Sequence, residues 1–252
     1  MKSIIIGVML LFTALAPPVA DLTTRFKAPA GFTRVISPAG SFAAYLQALP
    51  LKPAGTPTKT YLGNIARTNP YTAAVVDMSI GTRDLQQCAD ALMRLRAEYF
   101  YQQKNYQAIS FNFTSGFRCD YEHYAKGYRY SNNKWVKKAP ADYSYPNFMR
   151  YLILVFSYAG TLSLQKELKP VANANDIKIG DVFIRGGSPG HCFIVIDMVE
   201  NNSHKKQFLL AQSFIPAQNI QVLKGDGPWM TLGETPYIPY GDIVAARYLM
   251  RF

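Results

Sequence analysis

Ile179-Gly180-Asp181-Val182-Phe183-Ile184 and, shortly after, Ser188-Pro189-Gly190-His191-Cys192-Phe193-Ile194-Val195-Ile196-Asp197 form the stretch that organises this chain. Each is a short apolar run rich in β-branched residues, and Gly186-Gly187-Ser188-Pro189-Gly190 separates them. The pair therefore reads as strand, turn, strand, with a histidine opening the second strand. Downstream, residues 207–213 and 219–223 read as further strands, and residues 199–206 as the loop of a hairpin. The final stretch, 243–249, reads as a strand or a short helix. Upstream, Ala73–Met78 is a short apolar run that reads as a buried strand. Leu85, Cys88, Leu92, Leu95 and Tyr99 then recur at helical spacing, with Asp84 as the expected N-cap and Gln87 three residues on. Two more helices are expected at Pro146–Tyr158 and Leu162–Leu168. Helices first and strands later predict an α+β fold, with helices packed against an antiparallel sheet.

The chain has 252 residues, 49% of them hydrophobic and 17% charged, a composition that supports a sizeable core. Residues 1–20 combine a positive start at Lys2, an apolar run from Ser3 to Ala16 and small residues before Asp21. That pattern is expected of an export signal and is short for a membrane span. Residues 21–60 are expected to be an N-terminal extension and 61–252 the main domain. No stable membrane span is expected once the signal is cleaved, and a periplasmic or cell-envelope location follows. The net charge of +11 is spread out, with Lys137-Lys138 and Lys205-Lys206 only as short pairs. Anionic envelope polymers and acidic peptides fit that surface better than nucleic acid does. Cys88, Cys119 and Cys192 are an odd set, so an oxidising compartment leaves at least one thiol free. A bridge between Cys119 and Cys192 is compatible with the sequence, and buried inert thiols are too.

Chemistry centres on Cys88. A thiol near a helix N-terminus is ionised more readily, because unpaired N–H groups and the helix dipole favour an anion. Cys88 also lies on the apolar stripe, where a cysteine serves equally as packing. A thiol nucleophile needs a base, and His191 is the histidine presented at a strand mouth; His123 and His204 fall in polar segments. If the hairpin turn centres on Asn201-Asn202, residue numbers in paired positions sum to 403 and His191 faces Gln212. A slip by two keeps Gln212 on the same face, one diagonal step away, and a slip by one moves it to the other face. Gln212 is therefore the expected orienting group for the imidazole. Asp197 shares the face of His191 on strict alternation but lies about 20 Å along the strand, out of reach. The backbone N–H of Cys88 and the side chain of Gln86 or Gln87 are the candidate oxyanion donors.

Gln87-Cys88-Ala89-Asp90 opening a helix, then Gly180-Asp181-Val182-Phe183-Ile184 and Gly190-His191-Cys192-Phe193-Ile194-Val195-Ile196, resembles the core of NlpC-type and related papain-like amidases and endopeptidases. Leu210-Ala211-Gln212-Ser213-Phe214 is similar in placement to the strand that completes such triads. The resemblance implies a papain-like fold, Cys88 as nucleophile, His191 as base and Gln212 as orienting residue. It implies hydrolysis of amide or peptide bonds, cell-wall peptidoglycan stem peptides among them, without a cofactor. This sequence departs from the pattern where Gln87 and Ala89 flank the cysteine and where Gln holds the third position. The chain as a whole resembles an uncharacterised secreted family of Bacteroidota.

No His-Glu-x-x-His or paired Cys-x-x-Cys pattern suggests a metal site, and Gly-x-Ser-x-Gly is absent. A rival reading rests on residues 118–145, a tyrosine-rich stretch expected to be a long surface segment. Tyr124, Tyr128 and Trp135 are its candidate substrate-binding rings, set among Lys126, Arg129 and Lys134. Exposed rings beside cations could stack on a glycan, in a catalytic protein or in a binding module without catalysis.

Overall fold

The computed structural model describes residues 21–252; the expected export signal lies outside the described residues. In chain order the helices are α1 (Leu22–Arg25), α2 (Phe42–Gln47), α3 (Cys88–Gln102), α4 (Tyr121–Ala125), α5 (Tyr145–Tyr158) and α6 (Thr161–Glu167). The strands are β1 (Phe32–Arg34), β2 (Thr72–Val75), β3 (Ser110–Asn112), β4 (Arg118–Asp120), β5 (Tyr128–Ser131), β6 (Lys134–Lys137), β7 (Lys169–Pro170), β8 (Val182–Arg185), β9 (His191–Asn201), β10 (Lys206–Gln212), β11 (Gln221–Leu223) and β12 (Leu249–Arg251). The fold is α+β, built on an open sheet of eight strands in the order β2-β11-β10-β9-β8-β12-β7, with β1 added to β9. Its pairings are antiparallel.

Strand β9 is the axis of the sheet. One side of it pairs with β10. The other side is shared, β8 taking its first residues and β1 its last. Both faces of the sheet are covered, so 191–199 is buried throughout and Cys192–Ile196 within it reads as an unbroken apolar run. Cys192, Ile194, Ile196, Leu209 and Ala211 join Leu92, Leu95, Phe148 and Leu152 in the core beneath the helices. Phe193, Val195, Met198, Phe208 and Leu210 meet a second core closed by Met230, Ile238, Ile243 and Val244 from the irregular C-terminal segment.

Residues 21–60 are part of the first core rather than an extension ahead of it. Leu22, Phe42, Leu46 and Leu51 are buried there, and Leu51 bridges to Val76. The 118–145 stretch is likewise structured, with α4 and the β5–β6 hairpin where a long surface segment is expected from sequence. Residues 243–249 hold short 3-10 turns leading into β12.

Helix α6 carries a carboxyl whose environment is testable. Glu167 accepts the Asn112 N–H at 2.7 Å, and burial raises its pKa from 4.5 to about 7. Between those values the folded state holds a proton that the unfolded state has lost, so stability falls as pH rises through that window. The Glu167→Gln variant is expected to lose this slope. After allowing for partial exposure, thermal melts from about pH 4.5 to 7 should differ in stability by on the order of 1–2 kcal/mol.

Candidate active site

The helix bearing Cys88 begins later than its sequence suggests. Gln87 is the N-cap, with extended backbone, and Cys88 is the first helical residue. Asp84 sits upstream in a turn, where its Oδ1 accepts the Gln87 side-chain N–H at 3.1 Å and the Ala217 N–H at 2.7 Å. Asp90 accepts the Gln87 backbone N–H at 3.0 Å and closes the helix start. The shift places the thiol directly at the end where the helix N–H groups are unpaired.

Three cysteines are free and buried, so Cys119 and Cys192 form no bridge. Cys192 instead lies beside Cys88. The Cys192 thiol, hydrogen-bonded to Cys88, is the largest influence holding the Cys88 pKa well below the ordinary value of 9.0. Burial opposes this, while hydrogen bonding from His191, its charge and the Ala89 N–H assist. Cys192 is pushed well up, chiefly by burial and then by its bond to Cys88. The two shifts run in opposite directions, so Cys88 is the thiol of the pair that ionises more readily and Cys192 the one that keeps its proton. Cys119 is pushed up by burial and lies beneath Tyr151, whose hydroxyl donates to its carbonyl at 2.9 Å.

His191 and Gln212 meet as the strand register requires. Their Nε2 and Oε1 atoms are 2.6 Å apart, and both residues are buried. With the amide oxygen accepting, Nε2 carries a proton, which leaves Nδ1 as the nitrogen that exchanges a proton with the thiol. The route to this pairing differs from a simple hairpin. Near the turn, partners such as Lys206 and Glu200 or Leu209 and Asp197 sum to 406. A bulge between Leu209 and Leu210 takes up Ile196, after which Leu210 pairs with Val195 and Ala211 with Ile194, summing to 405. That is a slip of two from 403, which leaves Gln212 a diagonal step from His191. Without the bulge the slip would be three and the two side chains would lie on opposite faces. The bulge also moves Asp197 off the face expected from alternation. It turns toward α2, accepting from Gln47 at 2.8 Å and from Arg34 at 3.0 Å.

The His191 ring is enclosed by aromatics. Tyr240 stacks on it at 4.7 Å, while Phe193 and Phe214 lie at 4.8 and 5.1 Å. Tyr240 holds a left-handed backbone conformation, φ 62°, and Arg185 lies over its ring. The Ser213 hydroxyl, next to Gln212, shares its one proton between the carbonyls of Gln86 (3.0 Å) and Gln218 (2.9 Å), tying the segment before Cys88 to the end of β10. Cys192, Ser213 and Tyr240 were not among the residues expected from sequence. Alternation could have aimed Cys192 away from the face of His191 and toward the helices. Nothing local marks Tyr240.

The oxyanion candidates separate. The Gln87 side-chain N–H is occupied by Asp84. Gln86 is buried, its Oε1 accepts from Arg94, and its Nε2 has no acceptor among the described residues. Arg94 can only donate, which fixes the Gln86 amide with Nε2 pointing away from it.

Asp90 is buried as well, and burial is the main cause raising its pKa well above the usual 3.8, with the Cys88 charge adding to it. Its Oδ1 has no hydrogen-bond partner among the described residues. An acid raised on folding loses stability as pH climbs above its unfolded pKa. Asp90→Asn is thus expected to flatten the decline of melting temperature with pH above about 4. Parallel melts of the two proteins across that range check it.

The aromatic stretch lies apart from this cluster. Tyr124 is buried rather than exposed, with Arg129 over its ring at 4.0 Å. Trp135 stacks on His123 at 5.6 Å and meets Phe117 edge-on. Tyr128 is half-buried beneath Lys137. Their faces are largely occupied by Arg129, Lys137 and His123. Among the described residues, no three or more His, Cys, Asp or Glu are grouped as metal ligands would be, and no helix is long and apolar enough to cross a membrane.

No curated protein and no solved structure matches this chain. One family does, described as a domain of unknown function (4846), and its match runs over residues 22–240, from α1 through the ring that stacks on His191. With most of its length inside that match, the chain belongs to the DUF4846 family.

Proposed function

We propose that this protein is an exported thiol hydrolase of papain-like architecture, resembling the NlpC-type enzymes and acting on amide or peptide bonds, with peptidoglycan stem peptides as the substrate class. The observation that carries the reading is Cys88 at the first position of α3, with its pKa depressed by Cys192 and His191 while Gln212 holds the far side of the imidazole.

Cys88 Sγ attacks the scissile carbonyl carbon, and the carbonyl oxygen becomes an oxyanion. The Cys88 N–H and Gln86 Nε2 are the donors for it. His191, holding the proton of the thiol on Nδ1, gives it to the leaving nitrogen as the C–N bond breaks and a thioester remains. Water then gives a proton to His191 and attacks the thioester, and Sγ leaves as the thiolate. A basic exported protein suits acidic wall peptides by charge.

A second reading, a non-catalytic envelope protein that binds glycan or peptide, is favoured by one observation. Cys88 keeps 7% of its surface and His191 only 2%, beneath Tyr240 and Phe214. Incubation with stem-peptide fragments, followed by mass spectrometry, separates the two. The wild type should release cleaved fragments, and Cys88→Ala should lower the rate by at least about a thousandfold. Cleavage that survives in Cys88→Ala removes the nucleophile from the proposal.

A further inference from the structure

A cavity of about 460 Å³ lies along α3 beyond Cys88, lined among others by Tyr45, Leu49, Met78, Arg94, Glu98 and Tyr145. Arg94 and Glu98 are 3% and 5% exposed, an ion pair held inside the protein. Their hydrogen bonds use only part of each group. Arg94 gives Nε to Glu98 Oε1 and Nη1 to the Ser79 carbonyl and Gln86 Oε1. Tyr145 also donates to Glu98 Oε1, at 2.7 Å. Arg94 Nη2 and Glu98 Oε2 therefore have no hydrogen-bond partner among the described residues. The open space beside them is the cavity they line.

We propose that this cavity binds a free α-amino acid with an apolar side chain. A carboxylate suits Arg94 Nη2, where a planar guanidinium has a donor to spare. An ammonium suits Glu98 Oε2. A simple anion would meet the glutamate and a simple cation the arginine, so a ligand with both charges on neighbouring atoms fits best. Leu49, Met78 and the rings of Tyr45 and Tyr145 provide the apolar wall. The volume exceeds what one amino acid requires, leaving room for a large side chain. Gln86 Oε1 accepts from Arg94, so the site is one hydrogen bond from the segment that precedes Cys88.

Calorimetric titration of the mature protein with L-leucine, N-acetyl-L-leucine and L-leucinamide tests this, and it requires no turnover, so it is independent of the hydrolase reading. Leucine should bind, with each singly charged analogue weaker by at least about tenfold. Those analogues also imitate the two ends of a peptide, and equal binding by either would show recognition of a chain end and overturn the proposal. Met78→Trp fills the cavity from its apolar wall while leaving Arg94 and Glu98 unsubstituted, and should abolish leucine binding while the melting temperature is kept. Absence of leucine binding to the wild type, or unchanged affinity in a folded Met78→Trp protein, would overturn it as well.

Discussion

Ultraviolet titration of the folded protein is expected to show one thiolate appearing well below the ordinary thiol range, and Cys88→Ala is expected to erase that step. Cys119 and Cys192 are both pushed up, so neither contributes there. The cause is separable by mutation. Cys192→Ala removes the S–H that donates to Cys88, the largest favourable influence, and His191→Ala removes a hydrogen bond and a positive charge. Each should move the step upward, and together they should return it toward or beyond the free thiol value, because burial alone raises it. Alkylation by iodoacetamide provides the kinetic counterpart. Since the thiolate is the reacting species, His191→Ala should slow modification of Cys88 by more than about tenfold near pH 6, with the gap closing as pH rises. Site-by-site mass spectrometry assigns the modified cysteine. A step that persists in Cys88→Ala, or a Cys88 that titrates like a free thiol and ignores His191, would make this a packing residue on α3. The thiol hydrolase would then have no nucleophile.

The sequence was most informative where local pattern and tertiary demand agree. Helix α5 lies within a residue of its expected span because its apolar period is strong and Gly160 follows it. Strand β9 was legible as a strand, but its continuous apolar run hides the alternation that reports facing. Both faces are buried, so nothing in the residues marks Ile196 as the bulged position. The register to Gln212 was therefore reachable only as a statement about parity, and the bulge is what makes that parity hold. At Cys88 the capping motif misled by offering Asp84, whose carboxylate is engaged by Gln87 and by the distant Ala217. A contact between residues 84 and 217 cannot be read from local spacing. Cys192 and Tyr240 belong to the same class: each reaches the site through a long-range contact. Cys192 seemed a disulfide candidate because thiol counting is blind to which face of a strand a side chain occupies.

Gly190→Ala is expected to disturb both the fold and the site, although glycine carries no chemistry. From sequence, the Gly-Gly-Ser-Pro-Gly turn reads as a flexible entry to His191. In the fold it is a packed corner. A Cβ on Gly190 would lie 2.4 Å from Thr161 Oγ1, 2.5 Å from the Gly187 carbonyl oxygen and 2.9 Å from that of Arg185. Thr161 is the first residue of α6, and its hydroxyl donates to the Gly187 carbonyl at 3.3 Å. Two of the three obstructing atoms are backbone, so the turn must open to admit the methyl group. Overpacking of this kind costs about 1–3 kcal/mol, a fall in melting temperature of about 2–4 °C for each kcal/mol. Opening the turn also shifts the residue that follows it, and a hydrogen bond of 2.6 Å to Gln212 tolerates little displacement of His191. The Cys88 thiolate step should therefore move upward in Gly190→Ala, reproducing part of the His191→Ala effect with the imidazole still present. Gly227→Ala is the matched control, since a Cβ there meets nothing within 4 Å. If Gly190→Ala melts and titrates like the wild type, the turn is a yielding loop and His191 is positioned by its aromatic neighbours and Gln212 alone. If stability falls but the Cys88 step stays in place, the glycine serves packing without setting the base. Loss of both together identifies the close approach of α6 as what fixes the histidine against the thiol.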